Sequence, residues 1–121
     1  MATTAAVLGT AVLLTGCGSS DNTADNGSDG SASSPKVINV TFSGNSVTPN
    51  GDRVDVARGQ KVEFVVKADA AGEIHVHSTP EKELEYDAGT TELTVGPFDT
   101  PGLIEVESHA LDKTIVQLQV K

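Results

Sequence analysis

Three histidines, His75, His77 and His109, are the side chains of this sequence best suited to chemistry. The first two stand one residue apart in Glu73-Ile74-His75-Val76-His77, and the third closes Glu105-Val106-Glu107-Ser108-His109. Alternate residues of an extended strand share a face, so Glu73, His75 and His77 project together while Ile74 and Val76 project the other way. Side-chain roots two residues apart on a strand are about 6 to 7 Å apart, a span that two imidazoles can close onto one ion. Glu105, Glu107 and His109 share a side of their segment in the same manner. Were His75 or His77 to meet His109 beside Glu73 or Glu107, the set would suit copper, as Cu(II), or zinc. The competing reading is the solvated face of an antiparallel sheet, which alternates apolar-in and polar-out.

Other chemistry finds less support. Ser108 and His109 are adjacent, so in a strand they point to opposite faces and cannot act as nucleophile and base; no enzyme is expected. The single cysteine, Cys17, allows no intrachain disulfide. With 17 acidic and 8 basic residues and a net charge of −9, the chain lacks the basic footprint of a nucleic-acid binder. Glu81, Glu83, Glu85 and Asp87 fall on one side of an extended segment, with Leu84 and Tyr86 on the other. That acidic row reads as a solvated face or a guarded edge strand, or else as a docking surface for a cation or a basic partner.

The elements that must position these groups are strands. Thirteen valines fall between Val37 and Val120, and alternation at period two dominates. Ile38, Val40 and Phe42 share one face; so do Val54 and Val56, then Val62, Phe64 and Val66. The pattern returns at Leu93 and Val95, at Ile104 and Val106, and at Val116, Leu118 and Val120. Turn chemistry at Pro49-Asn50-Gly51, Asp87-Ala88-Gly89 and Thr100-Pro101-Gly102 separates the runs. About seven short strands of this kind predict an all-β Greek-key β-sandwich over residues 36–121.

What precedes that domain has a different composition. Residues 2–17 are uncharged, with an apolar core from Ala5 to Leu14 too short to span a bilayer, as in a signal peptide over residues 1–16. Its end, Leu14-Thr15-Gly16-Cys17, resembles the lipobox of bacterial lipoproteins, which implies cleavage before Cys17 and lipidation of its thiol. The acyl chains would anchor the protein to the cell membrane on its extracytoplasmic side without spanning it. No Lys or Arg precedes the apolar run, although export signals want a basic n-region, which leaves open a start upstream of Met1. Residues 17–35 read as lipidated Cys17 and a flexible linker, rich in Gly, Ser, Asn and Asp, with a root-mean-square reach of roughly 20 to 25 Å.

From Val37 to Lys121 the chain resembles a cupredoxin. The resemblance is carried by Pro49, by Gly59-Gln60-Lys61-Val62-Glu63-Phe64, by His75, by Pro101-Gly102, by His109 and by the strand from Ile115 to Val120. It implies that His75 stands where the first imidazole ligand comes, with Ser108 near the position of the ligand cysteine and His109 beside it. A blue copper centre needs two imidazoles, a thiolate and usually an axial thioether. Here the cysteine is Cys17 and the methionine is Met1, both in or next to the leader, so blue-copper electron transfer is excluded. The expectation is therefore a lipid-anchored binding module, holding Cu(II) or zinc through histidines. The alternative is a metal-free interaction or accessory module with a partner in the cell envelope.

Overall fold

The computed structural model describes residues 33–121. The leader, Cys17 and residues 17–32 of the linker lie outside the described residues. Nine strands follow: β1 (Lys36–Ser43), β2 (Ser46–Thr48), β3 (Asp52–Val56), β4 (Val62–Ala68), β5 (Gly72–Val76), β6 (Lys82–Tyr86), β7 (Gly89–Val95), β8 (Gly102–Ser108) and β9 (Lys113–Val120). They form two sheets, ordered β2-β1-β4-β7 and β3-β9-β8-β5-β6, so the described residues make an all-β sandwich.

Alternation explains most of the strands. In β1 the side chains of Ile38, Val40 and Phe42 are buried while their neighbours are exposed, and in β4 Val62, Phe64 and Val66 are fully buried. Register aligns the apolar faces: Ile38 pairs with Phe64, Val40 with Val66, and Phe64 with Leu93. In the second sheet Val76 lies beside Val106 and Val106 beside Val116. The two inner faces meet in one core, and Phe42 of the first sheet stacks on Tyr86 of the second at 4.8 Å between ring centroids.

Two strands exceed the expected count, each for its own reason. The three residues of β2 are too few to show a period, and β6, Lys-Glu-Leu-Glu-Tyr, is dominated by charge. The latter is an edge strand: Leu84 and Tyr86 turn inward, Glu83 and Glu85 outward. The sheets are also mixed, since β1 runs parallel to β4 and β3 parallel to β9. Parallel neighbours cannot be joined by a hairpin, and the chain passes through the other sheet between them.

One irregularity lies beside the histidines. Val106 pairs with Val116, but Glu107 pairs with Thr114, so β9 carries an extra residue at Ile115. Ile115 and Val116 are consequently both fully buried despite being adjacent. Ser108, at the end of β8, remains on the inner face with 1% exposure, and its hydroxyl has no hydrogen-bond partner among the described residues. Its neighbour His109 is exposed, as their opposite directions require.

Two stability measurements follow from this packing. A Cβ at Gly72 would lie 2.6 Å from the Tyr86 ring carbon that carries the hydroxyl, so Gly72→Ala must displace Tyr86 from its stack on Phe42. Urea unfolding should show a loss of about 1 to 3 kcal/mol. Ser108→Ala removes a buried hydroxyl that has no partner among the described residues and should raise stability by about 1 kcal/mol in the same assay. A marked loss in Ser108→Ala would mean that the hydroxyl is paired.

Candidate metal centre

β5 sits between β6 and β8 and is antiparallel to both, with His75 opposite Glu83 on one side and Glu107 on the other. Because Ile74 and Val76 fill the core, His75 takes the outer face. It is nonetheless only 8% exposed, which corrects the solvated-face reading at this position. The surrounding polar side chains, not solvent, cover it.

His77 lies one residue past β5, yet its backbone N–H still donates to the Glu105 carbonyl at 2.9 Å, so the ladder holds it beside β8. The chain then turns sharply. Ser78 N–H donates to the Val76 carbonyl and the Ser78 hydroxyl to the Pro80 carbonyl, which folds the Ser78 to Pro80 loop back on itself before Glu81. His109 opens the turn between β8 and β9, closed by Asp112 N–H donating to the His109 carbonyl at 3.2 Å. Asp112 takes φ 52°, a left-handed conformation that aspartate tolerates.

These elements bring the three histidines together: one nitrogen from each falls within 4.8 Å of the others. His75 Nδ1 and His109 Nε2 are 2.9 Å apart, with ring centroids 4.5 Å apart and edge to face. His77 Nε2 donates to Glu107 Oε2 at 2.9 Å, and that oxygen is 3.8 Å from His109 Nε2. Glu107 Oε1 in turn accepts from the Thr114 hydroxyl at 3.5 Å. The second nitrogens of His75 and His77, Nε2 and Nδ1, face Glu81 Oε2 and Oε1 at 3.2 and 3.5 Å.

With both ring nitrogens against carboxylates, His77 favours its cationic form. The hydrogen bond to Glu107 raises its pKa above the usual imidazole value; desolvation opposes this, and the charges of Glu107 and Glu81 add to it.

The donor set fits a first-row divalent ion. Two nitrogens each about 2.0 to 2.1 Å from one ion lie about 3 Å apart at right angles, near the observed separation of His75 from His109. Three imidazoles with a carboxylate and no sulfur suit Cu(II) or zinc. Of the two carboxylates expected nearby, the structure brings Glu107 to the histidines and not Glu73. Glu73 pairs across the strands with Glu85 and makes no hydrogen bond or ion pair with the histidines. Glu81, expected in the acidic row with Glu83 and Glu85, turns instead onto His75 and His77. The sequence did carry a signal for it: Glu81 follows His77 by four residues, with Pro80 between to turn the chain.

No protein-family model and no curated protein matches the sequence. Solved structures do match in shape. A purple cupredoxin from Nitrosopumilus maritimus aligns at 13% identity over 71% of this chain and 99% of its own, with a TM-score of 0.51. A blue copper oxidase from Nitrosomonas europaea aligns at 17% identity over 60% of this chain and 32% of its own, with a TM-score of 0.36. The first of these establishes the fold: the described residues form a cupredoxin-like β-sandwich.

Proposed function

We propose that the protein is a binding module that holds Cu(II) or zinc on its cupredoxin-like domain, without blue-copper electron transfer and without enzymatic activity. The observation that carries this reading is the convergence of His75, His77 and His109 within 4.8 Å. His75 Nδ1, His77 Nε2 and His109 Nε2 would be the ligands, with Glu107 beside two of them. Bound there, the ion supplies a Lewis-acidic centre. The protein orients the imidazoles, holds Glu107 through Thr114 and keeps His75 largely from solvent.

The leader and its lipobox support an extracytoplasmic position, anchored to the cell membrane through Cys17. A second reading, a metal-free module for an envelope partner, rests on the exposed Glu83 and Glu85 of edge strand β6. Glu81 no longer belongs to that surface.

Calorimetric titration with Cu(II) and Zn(II) separates the two readings. Binding at about micromolar or tighter is expected, weakened at least about tenfold by His75→Ala or His109→Ala. No binding in that range, or binding untouched by His75→Ala, would leave the interaction module as the better account.

The pH dependence has a definite sign. A ligand nitrogen must give up its proton, and His77 holds its proton to a higher pH than an ordinary histidine. Apparent affinity should therefore fall about tenfold per pH unit once the pH drops below that raised value. The metal-free protein shows the opposite trend at this residue. Its His77 pairing contributes fully below the unfolded value of about 6.5 and is lost as pH rises through the folded one. Titrations at pH 8, 7 and 6 with a flat affinity profile would contradict this assignment.

A further inference from the structure

Resting on the metal-binding reading, we infer that Glu81 is a positioning residue that holds His75 in the tautomer that presents its Nδ1 to the ion and braces His77 beside it. Six polar atoms of the cluster fall into two groups. His75 Nδ1, His109 Nε2, Glu107 Oε2 and His77 Nε2 form a continuous series, each 2.9 to 3.8 Å from the next. His75 Nε2 and His77 Nδ1 stand outside that series, and both face the one carboxylate of Glu81, a separate oxygen for each ring.

Proton counting then assigns the tautomer of His75. An ionised carboxylate only accepts, so the nitrogen facing it must carry the hydrogen. His75 Nε2–H donates to Glu81 Oε2, which places the lone pair of a neutral His75 on Nδ1. There it accepts from His109 Nε2–H, in agreement with the 2.9 Å separation. The reverse tautomer would set two lone pairs against each other at Nε2, on a ring only 8% exposed where water cannot relieve the repulsion. At His77, Nδ1 faces Glu81 Oε1 at 3.5 Å while Nε2 donates to Glu107 Oε2 at 2.9 Å, so both nitrogens stand against carboxylates and Glu81 braces this ring without selecting its tautomer. Glu81 is thus not a ligand: it fixes which nitrogen His75 offers, and bridges the two rings at a centroid spacing of 4.3 Å. Carboxylates that hold ligand imidazoles in this way raise their basicity and fix their orientation.

Glu81 lies in the loop before β6 and its side chain is 62% exposed, so replacing it opens no core. Glu81→Ala in the full chain should still unfold in one cooperative transition, with its midpoint lowered slightly by the unpaired His75 Nε2–H, and bind Cu(II) or Zn(II) about 10- to 100-fold more weakly by calorimetry. Glu81→Gln keeps one acceptor oxygen for two rings and should fall between. Glu85→Ala removes the same charge from the neighbouring strand without touching a histidine and should bind within about twofold of wild type.

The second readout needs no metal. Nitrogen-15 NMR of the imidazoles in the metal-free protein should show His75 with its proton on Nε2, and a mixture of tautomers in Glu81→Ala. Equal affinity in wild type and Glu81→Ala, or a wild-type His75 protonated on Nδ1, would overturn the role of Glu81 while leaving the metal site standing. A wild type that binds neither ion would remove the metal reading itself, and the role built on it.

Discussion

Ile74 and Val76 are fully buried, and a strand turns successive residues to opposite faces, so their burial forces His75 onto the outer face of β5. The rest of the centre depends on this placement. With β6 on one side and β8 on the other, an outward ring on β5 must meet side chains from both. Glu81, from the loop leading into β6, and Glu107, on β8, are those that reach the histidines. A one-residue slip of β5 would bury the imidazole and expose the valine and isoleucine, so the apolar packing that holds the sandwich together also fixes the histidine.

The cluster is stabilised by protons where it would otherwise take an ion. His77 is drawn toward its cationic form by the same Glu107 oxygen that lies near His109. A proton and a divalent cation thus compete for one set of lone pairs, and the carboxylates favour both. What distinguishes the two carboxylates is their place. Glu107 shares the series of ligand-competent atoms, whereas Glu81 faces only the opposite nitrogens. The inward Ser108, near the position of a cupredoxin's thiolate by resemblance, is buried with no hydrogen-bond partner among the described residues, and the polar donors gather on the outer face instead.

Much of the fold was legible because period-two alternation depends on the strand alone. Ile38, Val40, Phe42, Val62, Phe64 and Val66 are buried as the pattern requires. β6 was legible as an extended edge segment with Leu84 and Tyr86 on its inner side, though its charge hid it from a count based on apolar runs. The bulge at Ile115 was not, since alternation cannot announce the residue that breaks it. Nor was the parallel pairing of β1 with β4 and of β3 with β9, which depends on the path of the chain between sheets and not on any one strand.

The candidate centre divides along the same line. From the sequence alone came the three imidazoles, their absence of a sulfur partner, and the rule that His75 and His77 share a face opposite Ile74 and Val76. These follow from residue type and strand period, which are local properties. Only the tertiary structure decided that His109 reaches His75, that Glu107 joins them and Glu73 does not, and that Glu81 leaves the acidic row for the imidazoles. Those outcomes depend on register between strands far apart in the chain and on the turns at Pro80 and Asp112, where small changes in backbone direction decide which side chains meet.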